Sequence, residues 1–344
     1  MTTRLLMAPA FLLMAAQGAA AQRVYVASQE AASVVVIDVA TNEVLHTVDL
    51  QALGFSATAK PHHVAVEPDG SHWYVTLIGD GKVLKFTRDN ELVGQFPFEV
   101  AGMVAVQGQD RLLVTRSMSA VNPPSRIGLA TRADMDVEEL DVPFPRPHAC
   151  GADPRGGYAW VGSLGVNQIA TINLATDEMS ITTLESDHPH SFVQFAVSPD
   201  GTRLVATAEH THKLLVFDAT DPVRLRLLHE VDVEPMPFEP SFSPDGRSVW
   251  FGNQGSDAVT VVDASTWTVA GVIRGDGLAE PHGSAISPDG RWVYVSNRNT
   301  KGKYKGKGAE EHPGTVVVID AEQRQVVKVI EVGRYGAGMA VSSR

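Results

Sequence analysis

Four short strands recurring about every 45 residues, seven times over, predict an all-β fold, a seven-bladed β-propeller of four-stranded antiparallel blades. Three observations carry this. The turn Glu67-Pro68-Asp69-Gly70 returns as Asp153-Pro154-Arg155-Gly156 and then as Ser-Pro-Asp-Gly at Ser198, Ser243 and Ser287. Its prolines are separated by 86, 45, 45 and 44 residues, so the first gap holds two periods. Each turn is followed by a β-branched and aromatic strand, such as Trp73-Tyr74-Val75-Thr76 or Val293-Tyr294-Val295-Ser296. A third strand then closes on Asp or Asn, at Asp38, Asn173, Asp218, Asp263 and Asp320. In the turn, Pro fixes φ at the second position, Asp bonds its own backbone and Gly accepts positive φ.

The blades follow in order. Blade 2 spans about 62–98, blade 3 102–144, blade 4 148–185, blade 5 190–233, blade 6 239–275 and blade 7 282–333. The N-terminal region supplies only three strands, Arg23–Gln29, Ser33–Ala40 and Glu43–Leu50. Gly338–Val341 is the missing innermost strand, so the C-terminal strand completes blade 1 and closes the ring, leaving no free sheet edge.

The first residues carry Arg4, an apolar run from Leu5 to Ala16 and small residues at Ala19 and Ala21, the layout of a secretory signal. The expected organisation is a signal peptide over 1–21 and a single propeller domain over 22–344, giving a periplasmic or secreted, soluble protein. No later stretch approaches the roughly 20 apolar residues of a membrane span. Without Arg4 the chain has 27 basic and 40 acidic residues, which disfavours nucleic acid and anionic membranes as partners. Its one cysteine, Cys150, has no partner for an intramolecular disulfide, so stability rests on the core. No haem-attachment, dinucleotide or flavin motif is present.

The repeats VYVAS, WYVTL and VYVSN, with SPDG before them and VVVID after, resemble the YVTN-repeat (YncE-like) propellers. The resemblance covers nearly the whole chain and implies the fold. It says little about activity, because that family includes binding, surface-layer and redox-associated propellers.

Chemistry is expected at the mouth where inner strands begin. Histidines recur there: Pro61-His62-His63, Pro147-His148, His188-Pro189-His190 and Pro281-His282, with Glu239-Pro240 in blade 6 and small residues near Gly338 and Gly102. Loops between second and third strands add Glu209-His210-Thr211-His212, Arg116, Asn253 and Asn297-Arg298-Asn299. Imidazole suits copper or zinc, so His62, His63, His148, His190, His210, His212 and His282 form the candidate metal set. Each histidine taken alone also fits a structural role at a crowded axis. His148 and Cys150, two apart on a strand, are expected on one side, although a buried Cys is more often a small hydrophobe. His62-His63 is similar to the adjacent pair in nitrous-oxide reductase, whose propeller holds a copper cluster. No electron-entry domain follows here, so that activity is not expected.

A small anionic ligand is the other candidate, with Arg116, Glu239, Asn253, Asn297, Arg298, Lys303 and Lys305 as its contacts. About 12 residues are inserted in blade 7 (insertion 299–314), and their four lysines read as a mobile basic flap over the mouth or a dock for an acidic protein. A hydrolase is the alternative reading. His188-Pro189-His190-Ser191 is similar to a strand start in seven-bladed lactonases, which would give His190, Glu209, His282 and Arg298 catalytic roles. A third reading is a monomeric protein-interaction scaffold.

Overall fold

Each blade expected from the repeats is one antiparallel sheet. The computed structural model describes residues 21–108 and 110–343, so nearly all of the segment read as an export signal lies outside the described residues. Among them are seven four-stranded sheets and a single short 3-10 turn at Gln29–Ala31. No helix among the described residues is long and apolar enough to cross a membrane. Blade 1 has the order Gly336–Val341, Arg23–Ser28, Ser33–Asp38 and Glu43–Asp49, so the C-terminal strand supplies its innermost position.

The strands form where β-branched and aromatic residues can be buried on both faces. Adjacent blades then sandwich an apolar cluster between them, seven clusters for seven interfaces. Between blades 1 and 2, Tyr25 stacks on Trp73 and Trp73 on Phe86, with centroids 5.1 and 4.2 Å apart. Tyr294, Val316 and Val318 of blade 7 pack against Val24, Val26 and Met339 of blade 1, which seals the ring. The Ser-Pro-Asp-Gly turns are tied by their own side chains. Ser287 Oγ donates to Asp289 Oδ1 (2.6 Å), and Trp292 N–H donates back to Ser287 Oγ (2.8 Å).

One backbone device recurs in all seven blades and positions the channel. At the entry to each blade stands a non-glycine residue in the left-handed region, Lys60, Val100, Arg146, Ser191, Met236, Glu280 and Tyr335, with φ between 49° and 63°; in blade 6 it precedes the isolated Pro237–Asn253 bridge. Such a residue costs on the order of 1 kcal/mol or more, and its repetition marks it as architectural. A β-bulge follows immediately, between Pro61 and Val64, Ala101 and Val104, Pro147 and Ala149, Phe192 and Phe195, and Pro281 and Ser284. A bulge sets two residues against one, so strict alternation fails and consecutive side chains turn toward the axis. Blade 6 keeps only Ser241–Phe242 as an inner strand, because Pro235, Pro237 and Pro240 donate no backbone hydrogen bonds.

Candidate functional site

The left-handed residues give the true alignment of the blades. Two positions after each come His62, Gly102, His148, Val193, Phe238, His282 and Ala337; one further on come His63, Met103, Ala149, Gln194, Glu239, Gly283 and Gly338. His62, His63, His148, Glu239 and His282 are therefore brought together at the axis, each 9% exposed or less. Glycines make the room: a Cβ on Gly338 would stand 2.6 Å from the His63 ring, and one on Gly283 3.0 Å from Glu239 Oε2.

Proton positions follow from the partners. His148 donates Nδ1–H to the Val193 carbonyl (2.7 Å), which leaves Nε2 a bare lone pair. His62 Nδ1 faces Gln29 Oε1 at 3.0 Å, so its Nε2 is also the acceptor nitrogen. His63 Nδ1 accepts from Val104 N–H (3.3 Å), and its Nε2 points to Glu239 Oε2 at 3.8 Å. Glu239 Oε1 lies 3.2 Å from His282 Nδ1. The angles there do not make a hydrogen bond, and three buried atoms of the cluster have no partner: His148 Nε2, Glu239 Oε1 and His282 Nδ1.

Burial sets the charge state. Desolvation pushes His148 down to about 4 and holds His62 and His282 well below the usual imidazole range, with neighbouring histidines or Arg298 adding to it. His63 is also lowered by burial, against the pull of Glu239. Burial raises Glu239, with His63 and Arg298 opposing. The imidazoles are thus neutral near pH 7, the form that ligates metals. Among the described residues no three His, Cys, Asp or Glu side chains already stand in a metal-holding arrangement.

The cluster lies inside the channel and not at an open mouth. A cavity of about 350 Å³ runs from His63 and Glu239 past Gln194 to Pro154 and Pro199, and so toward the face that carries the Ser-Pro-Asp-Gly turns. On the other side the cluster is roofed by Phe238 and Tyr335, whose rings lie 5.1 and 6.4 Å from that of His282.

Other residues singled out from the sequence sit elsewhere. His190 precedes Ser191 and so falls outside the aligned ring; it contacts Thr211 Oγ1 (2.9 Å) and stacks on Phe192. His210 and His212 are exposed on their loop, with His212 Nδ1 against the Glu209 carbonyl (2.8 Å). Arg116 points between strands, paired with Glu139 (2.7 Å) and lying over the Phe98 ring. Asn253 meets Thr260 Oγ1 at 2.7 Å, and Asn297 accepts from Ala279 N–H (3.1 Å) while donating to Val295 O (2.9 Å). Cys150 does not share the side of His148, because the bulge between Pro147 and Ala149 breaks the alternation. It packs in the apolar cluster between blades 3 and 4, its thiol pushed up to about 12 by burial.

The insertion is packed rather than a free flap. Asn299 donates to the Tyr304 and Pro313 carbonyls (both 2.8 Å), and Tyr304 is buried with its hydroxyl on Glu331 (3.0 Å). Lys303 pairs with Asp257 (3.0 Å) and Lys305 with Glu311 (3.3 Å).

Sequence reading missed Gln29, Gln194, Phe238 and Tyr335 as parts of the site. It also missed the hydroxyl belt beneath it. Thr76 accepts from His63 N–H (3.1 Å) and donates to Gly102 O (2.7 Å), and Thr115 and Ser296 make the same links from their own blades to the next. The signal was present as Val75-Thr76, Val114-Thr115 and Val295-Ser296 in the second strands of blades 2, 3 and 7.

No family model matches the chain. A dihydro-heme d1 dehydrogenase of Pseudomonas aeruginosa is 36% identical over 91 residues, which are 26% of this chain and 15% of that protein. Solved structures match over the whole ring. A protein of unknown function from Desulfotomaculum acetoxidans aligns with a TM-score of 0.73 at 14% identity, over 93% of this chain and 98% of its own. A candidate 6-phosphogluconolactonase from Bacteroides fragilis gives 0.69 at 13%, over 94% and 98%. Apo AztD from Citrobacter koseri gives 0.64 at 11%, over 93% and 97%. At these identities the likeness establishes the fold alone: the chain is a seven-bladed β-propeller.

Proposed function

We propose that the protein is an exported binding propeller of the YVTN-repeat kind, periplasmic or secreted, that holds a copper or zinc ion in its channel through His148, Glu239 and His282, flanked by His62 and His63. The observation that carries this is the trio of buried, unpartnered donor atoms, His148 Nε2, Glu239 Oε1 and His282 Nδ1. An unsatisfied buried polar atom costs about 1–3 kcal/mol, and because these three belong to one cluster a single bound ion would satisfy them together. Two donors about 2.0 Å from one tetrahedral ion stand roughly 3.3 Å apart. Glu239 Oε1 and His282 Nδ1 are separated by 3.2 Å. The hydrogen bond from His148 Nδ1–H to a backbone carbonyl is the outer-shell contact that fixes a ligating imidazole. The three donors do not yet stand in a metal-holding arrangement, so binding would draw them together.

The lactonase-like reading has weaker support. Of its four residues, His282 and Arg298 share the Phe238 and Tyr335 rings and Glu209 acts on Arg298 through its field, whereas His190 turns to Thr211. A pure interaction scaffold leaves the unpartnered trio unexplained.

The test is a thermal shift on protein stripped with a chelator and dialysed. Zinc or copper at saturating concentration raises Tm by about 5 °C, the size expected for a ligand near a hundredfold over Kd. His148→Gln and Glu239→Gln, each checked for folding by circular dichroism, lose most of the shift. An unchanged wild-type Tm with both metals, or an undiminished shift in both variants, rejects the reading.

A further inference from the structure

Arg298 is the least explained charge near the channel. It follows the second strand of blade 7, and its backbone N–H donates to Glu280 O (3.1 Å). Its guanidinium lies between two rings, 5.1 Å from Phe238 and 4.9 Å from Tyr335. These are the two rings that also flank His282, so Arg298 stands directly over the histidine cluster. Among the described residues the guanidinium makes no ion pair or hydrogen bond, and its Nε is buried without a partner. Ring stacking engages the faces of a guanidinium and leaves its in-plane donors unused. The nearest competing carboxylate, Glu280, is already taken by Thr300 Oγ1 (2.7 and 2.8 Å) and Lys301 N–H (3.0 Å). Glu209 and Glu239 also contribute to its field without pairing to it. The residue is partly exposed although its guanidinium is largely desolvated, so this seat is reached through a narrow opening on the side of the loops that enter the inner strands.

We propose that Arg298 is an anion seat: a small oxyanion, carboxylate or phosphate, docks in the plane of its guanidinium between Phe238 and Tyr335. This depends on the surroundings of Arg298 and not on the metal reading below it. A planar fork with free N–H groups matches two oxygens of one such group, and the aromatic walls exclude water from its faces. A ligand held there would sit above His62 and His282, so an anion seated on Arg298 would approach any ion bound by the cluster.

Isothermal titration at low ionic strength tests this with two probes, citrate and inorganic phosphate, on chelator-stripped and on zinc-treated protein. One or both probes bind wild type with a stoichiometry near one, and which of them binds distinguishes a carboxylate seat from a phosphate seat. Arg298→Gln weakens that binding at least about tenfold, and Arg298→Lys, which keeps the charge but not the fork, falls between. Zinc still binds Arg298→Gln with a stoichiometry near one, which separates the seat from the metal site, while its affinity follows the loss of a positive charge beside His282 and Glu239. If neither probe binds at tens of millimolar, or Arg298→Gln binds as wild type does, the seat is rejected while the metal reading stands untouched. If zinc fails to bind but the anion still depends on Arg298, the metal reading fails and the seat stands.

Discussion

A variant lacking residues 336–344 loses cooperative unfolding and aggregates. The deleted strand is the innermost of blade 1, paired along Arg23–Ser28, and its loss affects two blade interfaces at once. Ala337 leaves the cluster shared with blade 2, and Met339 leaves the cluster shared with blade 7. The exposed strand Arg23–Ser28 then offers a long apolar edge, VYVAS, for intermolecular pairing. Met339→Ala is the graded form of the same test. Met339 is 4% exposed, and truncating such a side chain costs about 2–5 kcal/mol, a large part of a domain's usual 5–15. The readouts are the urea midpoint for Met339→Ala and size-exclusion profiles for the deletion. A deletion variant that elutes as a monomer with the wild-type midpoint would show that the ring is not closed by this strand.

Stability should also fall between pH 6.5 and 4, before ordinary acid unfolding begins. His62, His63, His148 and His282 all titrate lower when folded than when unfolded. In that window the unfolded chain takes up protons that the folded cluster refuses, so stability present above the ordinary imidazole value is lost as pH falls toward the folded values. His148 alone, lowered to about 4, accounts for about 3 kcal/mol. Glu239 works in the opposite sense: its raised value makes the folded state bind a proton earlier, which offsets part of the loss. The turn carboxylates Asp200, Asp245 and Asp289 are lowered by bonds from neighbouring serines, and their contribution is lost only below the ordinary Asp value. Urea midpoints measured from pH 8 to 5 therefore isolate the histidines. The slope should be steep in wild type and visibly flatter in His148→Gln. Equal slopes in the two proteins would mean that this histidine titrates normally in the fold.

Nearly all of the fold was legible, because it is written in features that need no long-range knowledge. The proline spacing set the blade period, and the Asp or Asn closing each third strand marked its end. The shortfall of one strand in the N-terminal region identified the C-terminal strand as its complement. The site was legible only in part. Pro61-His62-His63, Pro147-His148 and Pro281-His282 announce residues that do meet, but His188-Pro189-His190 announces one that does not. In blade 5 the left-handed position is Ser191, so the equivalent of His148 is Val193 and no histidine reaches the axis. Bulges hid the rest. Strand alternation puts His148 and Cys150 on one side, whereas the bulge between Pro147 and Ala149 sends them to different ones. The insertion misled for a different reason: its lysines read as free charge, but their partners Asp257 and Glu311 lie 46 and 6 residues away in sequence.

Elemental analysis decides whether the buried trio of His148, Glu239 and His282 holds the proposed metal ion. Protein expressed from the full 344-residue sequence, recovered without a histidine tag and passed through desalting, should carry close to one copper or zinc per chain by mass spectrometry of the digested sample. His148→Gln and Glu239→Gln, prepared in parallel, should carry far less of the same metal. Wild-type protein free of both metals, which also fails to retain either after incubation with them, would contradict the account.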